Sequence, residues 1–165
     1  MTDEQKRVLA DLKECGIAKT NVFDFLDEEG IKFYNNTLQF LKKHAKTPQM
    51  KKRMASFLTD KPMRGKNKWF ELGSHDLIGR GCALEDDTAI PLYLRPQFLD
   101  IAEGYHENEN CRLRNVLTWI HPATKNKPNT GSMKWHRDTE NRRICKVFIY
   151  YNDITADKGA LNYTK

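Results

Sequence analysis

No apolar run in this 165-residue chain approaches the ~18 residues of a membrane-spanning helix, which excludes a helical span. Its opening, MTDEQKRVLADLKECG, mixes acids and bases and has no apolar core, so it does not read as a secretory signal. The four cysteines, Cys15, Cys82, Cys111 and Cys145, form no CxxC pair. That argues against a disulfide scaffold or a zinc ribbon, and reduced thiols in a cytoplasmic protein are the expectation. Internal repeats and low-complexity tracts are absent too. With 39% hydrophobic and 30% charged residues, the chain is apolar enough to build a core and is expected to be one globular domain.

Acidic residues are scarce in one place. Residues 42–68 hold ten Lys or Arg and a single acid, Asp60. The segment carries +9, so the rest of the chain, with +6 overall, sums to −3. A basic stripe of this kind suits nucleic acid, or a phosphorylated or carboxylated substrate, although a solvated helix face carries the same composition.

The first 110 residues read as mainly helical. Thr2 and Gln5 are spaced as a capping box, Val8, Leu9 and Leu12 form a helical stripe, and Gly16 stands where that helix should stop. IAKTNVF reads as a short strand. Asp27 is placed to cap a second helix with Ile31, Tyr34, Leu38 and Leu41 on one face, ending near Lys46. Residues 60–92 read as loop with short pieces of structure, pinned by Trp69, Phe70 and Leu72. RPQFLDIAEGY restores a short helix with Pro96 in its first turn.

From Cys111 the period changes to two. CRLRNVLTWIHP places Leu113, Asn115, Leu117 and Trp119 on one face and Arg114, Val116, Thr118 and Ile120 on the other. MKWHRD reads as a second strand, ICKVFIYYND as a third and ALNYTK as the start of a fourth. The resulting class is α+β, with N-terminal helices over one face of a sheet formed from residues 111–165.

The chemistry concentrates in WHRD. In a strand, residues two apart share a face, so His136 and Asp138 project side by side and Arg137 points away. An imidazole nitrogen and a carboxylate oxygen can fill two adjacent positions of an octahedral metal. A further His would complete the 2-His-1-carboxylate facial triad of non-haem Fe(II) oxygenases. His-x-Asp alone is a common pair, and its context gives it weight.

SMKWHRDTENRRICKVFIYYNDITADKGALNYTK resembles the segment of the phytanoyl-CoA dioxygenase family that carries the first two iron ligands. It shares Trp135, His136 and Asp138, the strand of 145–151, Asp153, and Gly159 with Leu161 and Tyr163. The N-terminal helix–strand–helix order is similar in outline. The resemblance implies a double-stranded β-helix (a jelly-roll, cupin-like fold) of which this chain holds the N-terminal helices and first strands. It also implies Fe(II), with His136 and Asp138 as ligands, and 2-oxoglutarate as co-substrate in the hydroxylation of a small organic substrate. Asn115, or Arg114 of the opposite parity, is the candidate contact to the co-substrate.

The family's distal His and the Arg that grips the 2-oxoglutarate carboxylate have no counterpart among these residues. His121, ending the strand before the metal-bearing one, is a weak substitute. The expectation is therefore a fold incomplete at its C-terminal side, with an open sheet edge that pairs with a missing half or another subunit. The 165-residue chain is expected to turn over little or nothing by itself. The alternative is a non-catalytic basic module with an oxygenase-derived fold, using residues 42–68 to bind nucleic acid or another polyanion. RNP-like aromatics and a zinc finger are lacking, which ranks nucleic acid lower as a partner.

Overall fold

In the computed structural model the described residues are 1–48, 51–52, 55, 70–74, 89–107, 111, 117–120, 144–155 and 160–163. They group into two compact units. The first takes Met1–Leu38, Asp87–Arg114 and Arg143–Lys165, and the second takes Gln39–Asp86 and Asn115–Arg142.

The first unit opens with helix α1, Asp3–Cys15. The Thr2 hydroxyl accepts from the Gln5 N–H at 3.2 Å, and Gln5 Oε1 accepts from the Thr2 N–H at 2.9 Å. These reciprocal bonds satisfy two donors that a helix start leaves unpaired. Asp3 and Glu4 place negative charge at that end and Lys13 positive charge at the other, as the helix dipole favours. Gly16 ends the helix at φ 73°, a left-handed conformation that costs glycine little, and its N–H reaches the Leu12 carbonyl at 2.9 Å.

IAKTNVF is not a strand. Asn21 caps a single helical turn, α2 (Val22–Phe25), by accepting the Phe23 N–H at 2.9 Å, and this local bond wins over β propensity. Helix α3 follows at Glu28–Ala45. Asp27 caps it as expected, its carboxylate accepting the Gly30 N–H at 2.8 Å. Helix α4 covers Ala89–Tyr93, and α5 covers Pro96–Tyr105 with proline in its first turn.

The core of this unit is Val8, Phe25, Leu26, Tyr34, Leu92 and Ile101. Ile149 and Tyr151 pack against it from the C-terminal part of the chain. Helices α1 and α5 approach closely at Gly104, where a Cβ would lie 2.7 Å from a Leu9 methyl. Gln5, 4% exposed, donates to the Phe25 carbonyl at 3.0 Å and so ties α1 to the end of α2.

The second unit contains the last turns of α3 from Gln39 and an antiparallel pair, β1 (Phe70–Ser74) with β2 (Leu117–Ile120). Phe70 pairs with Ile120, Glu71 with Trp119, Gly73 with Thr118 and Ser74 with Leu117, and the register shifts between Glu71 and Gly73. β2 falls in the run whose period of two marked it as strand. β1 emerges from the stretch read as loop, because a bulged five-residue strand containing a glycine gives little alternation to read. Among the described residues no helix is long and apolar enough to cross a membrane.

Candidate functional site

His136 and Asp138 lie outside the described residues, and so do Asn115, Arg114 and His121. An imidazole and a carboxylate are donor types that a facial triad uses, and no residue is assigned as a third donor. Among the described residues no group of three or more His, Cys, Asp or Glu could hold a metal. The flanks of the motif are described on both sides, with β2 upstream and residues 144–155 downstream.

The downstream flank is anchored to the helices of the first unit. Phe148 and Tyr150 are exposed, while Ile149 and Tyr151 pack on the core, so side chains alternate over 148–151 as a strand period requires. Residues 144–150 join no sheet ladder with the described residues. Their attachment comes instead from a tyrosine cluster.

Tyr34 donates to the Tyr150 carbonyl at 3.1 Å, and the Tyr93 and Tyr151 hydroxyls meet at 3.2 Å. The rings of Tyr34 and Tyr151 stack, and Phe23 meets Tyr34 edge-on with centroids 5.8 Å apart. Thr37, 1% exposed, hydrogen-bonds Tyr151 and also donates to the Phe33 carbonyl at 2.9 Å.

Burial, reinforced by Tyr93, pushes the Tyr151 phenol far above its ordinary pKa. Burial and the nearby Asp153 carboxylate raise Tyr34 in the same direction. These phenols are therefore neutral hydrogen-bonding groups rather than bases. Cys145, just after the motif, is also pushed up, first by burial and then by Cys111 beside it. It is thus a poor nucleophile near neutrality.

A second polar constellation surrounds the start of α3. Arg95 forms ion pairs with Asp27 and with Glu29, the latter at 2.5 Å. Burial raises the Asp27 pKa, but the Gly30 N–H, Gln97 and Arg95 together outweigh it and hold the carboxyl below its usual range. Sequence patterns carried no signal for this cluster, since Arg95 lies 68 residues from Asp27. Its task is to hold α5 against the start of α3.

In the second unit the basic run is partly described. Lys42, Lys43 and Lys46 near the end of α3, and Lys51 and Lys52 beyond it, are all exposed. No similar protein was found by comparison with protein-family models, curated proteins or solved structures.

Proposed function

We propose that this chain corresponds to the N-terminal part of a non-haem Fe(II)/2-oxoglutarate-dependent dioxygenase that hydroxylates a small organic substrate. One observation carries the reading. Trp135, His136 and Asp138 are followed, in the family's order, by an apolar run, an acidic turn and Gly159, Leu161 and Tyr163. The alternate packing of residues 148–151 is compatible with a strand in that position.

His136 and Asp138 would hold the iron, an imidazole nitrogen and a carboxylate oxygen being the donor types a facial triad uses. Bound iron, with 2-oxoglutarate and dioxygen, supplies the oxidising power for C–H hydroxylation. The chain's own contribution would be two donors spaced two residues apart, with the following segment braced. The tyrosine cluster does the bracing, holding residues 150–151 on α3 and α4. Asn115 or Arg114, from the preceding run, would contact the co-substrate carboxylate. No third protein donor and no Arg for that carboxylate are assigned among these residues, so weak binding of iron and co-substrate is expected.

Anaerobic titration with Fe(II) and 2-oxoglutarate tests the reading through the weak visible charge-transfer band of the chelate. The expected result is weak metal binding to the 165-residue chain, abolished by His136→Ala or Asp138→Ala. Metal binding that survives both substitutions would sink the ligand assignment. Succinate formation at an enzyme-like rate would overturn the expected lack of turnover.

A further inference from the structure

The basic run in the second unit is not needed for an iron site, and its chemistry points elsewhere. Between Glu29 and Asp60 the sequence has no acid and seven bases, Lys32, Lys42, Lys43, Lys46, Lys51, Lys52 and Arg53. Six of these are described and exposed, and five of the six, Lys42, Lys43, Lys46, Lys51 and Lys52, belong to the second unit. None of the five has an ion-pair partner among the described residues. The charged side chains of the first unit, by contrast, pair repeatedly: Arg7 with Glu4 and Asp11, Lys6 with Asp3, Arg95 with Asp27 and Glu29.

Placement matters as much as charge. Lys42, Lys43 and Lys46 stand at one-, three- and four-residue steps around the end of α3, and helical bonding resumes where the Lys51 N–H reaches the Thr47 carbonyl at 3.0 Å. Exposed Gln39 lies one turn before Lys43 and adds a neutral hydrogen-bonding group. Charges of one sign crowded at the end of a helix repel one another. A polyanion laid along them relieves that repulsion and releases its own condensed counterions.

We propose that Lys42, Lys43, Lys46, Lys51 and Lys52 form a docking surface for the phosphate backbone of double-stranded nucleic acid. A membrane surface fits less well. An interfacial helix presents an apolar face to lipid, whereas the exposed positions described from Gln39 to Lys52 are Gln39, Lys42, Lys43, Lys46, Pro48, Lys51 and Lys52. A single strand also fits less well, because stacking on exposed aromatic rings holds unpaired bases and those positions include none. RNP-type aromatics read splayed bases, so their absence from the chain does not weigh against backbone binding to a duplex.

Fluorescence anisotropy of the full chain with a labelled mixed-sequence DNA duplex of about 20 base pairs tests this. Five phosphate contacts give a slope of log affinity on log salt near −4.5, or a loss of roughly 500-fold between about 50 and 200 mM salt. The triple variant Lys42→Gln, Lys43→Gln, Lys46→Gln should flatten the slope by about 2.7 while leaving the helical circular dichroism unchanged. His136→Ala should leave duplex binding unaltered, so this result and the iron result fail independently. The proposal is overturned if the duplex does not bind or the slope is near zero. It is equally overturned if the triple variant binds as the parent does, or if single-stranded DNA or phosphatidylserine–phosphatidylcholine vesicles bind more tightly than the duplex.

Discussion

The ring of Tyr151 stacks on that of Tyr34 with centroids 5.1 Å apart and planes inclined by 15°. Tyr34 belongs to α3, and Tyr151 lies thirteen residues beyond Asp138, so this contact fixes the segment that follows the His-x-Asp motif. Tyr93 of α4 and Thr37 of α3 complete the attachment through the Tyr151 hydroxyl.

Tyr151→Phe keeps the stack and removes the hydroxyl. The expected cost is about 1–2 kcal/mol, from lost hydrogen bonds and the Tyr93 hydroxyl left without that partner. A double-mutant cycle with Tyr34→Leu and Tyr151→Leu, read by urea denaturation, should give a coupling of about 0.5–1.5 kcal/mol. Strict additivity would show that the stack contributes nothing.

Alkaline pH should act on the same cluster. The folded Tyr151 pKa is raised, so its stabilisation is complete below the pKa of an unfolded tyrosine, near 10. Stability should decline as pH rises above that value, because the unfolded chain releases the phenol proton first. An ultraviolet titration should show Tyr151 and Tyr34 ionising only as the circular dichroism collapses, and Tyr151→Phe should flatten the alkaline decline. Phenolate formation at both residues in the intact fold would refute this.

Acid pH should act on the start of α3. Asp27 is held below its usual pKa in the folded chain, so the stabilisation is present above about pH 4 and lost as pH falls through the folded value. Asp27→Asn retains capping ability but loses the charge toward Arg95. The thermal-midpoint gap between parent and variant should be present at neutral pH and close in acid. A gap independent of pH would mean that charge has no part in the contact.

Gly16→Ala should destabilise by about 1–2 kcal/mol, the cost of a left-handed conformation for a residue with a Cβ. A Cβ there would also lie 2.7 Å from the Tyr163 hydroxyl, which must shift. Gly16→Asn should cost less, since asparagine enters that region more readily. Thermal denaturation of the two variants ranks them.

Leu92→Ala should cost about 2–5 kcal/mol, as for other large-to-small changes in a closed core. Leu92 is 0% exposed and sits on a helix of only five residues, so little can collapse around the cavity. A change below about 1 kcal/mol in urea denaturation would show that α4 relaxes into the space.

Local features were legible from the residues alone. The Thr2–Gln5 cap, the stop at Gly16, the cap at Asp27, the end of α3 near Lys46 and the entry of α5 at Pro96 all appear where the sequence pattern puts them. Each depends on bonds between residues within about four positions, so composition and spacing decide it. α2 was misread as strand because the Asn21 side-chain bond outweighs the propensity of its neighbours. The His136 and Asp138 assignment is likewise entirely a sequence inference, resting on a motif outside the described residues.

Other relationships required the tertiary structure. Tyr34 reaches the Tyr150 carbonyl across 116 positions, and Arg95 reaches Asp27 and Glu29 across more than sixty. β1 finds its partner in β2 although its own residues hardly read as a strand. No spacing rule encodes such contacts, because what selects them is burial of apolar surface shared by distant segments. The sequence by itself determined where α1, α3 and α5 start and stop, the basic run and the His-x-Asp pair. Packing alone decided that the segment after that pair is held by tyrosines of α3 and α4.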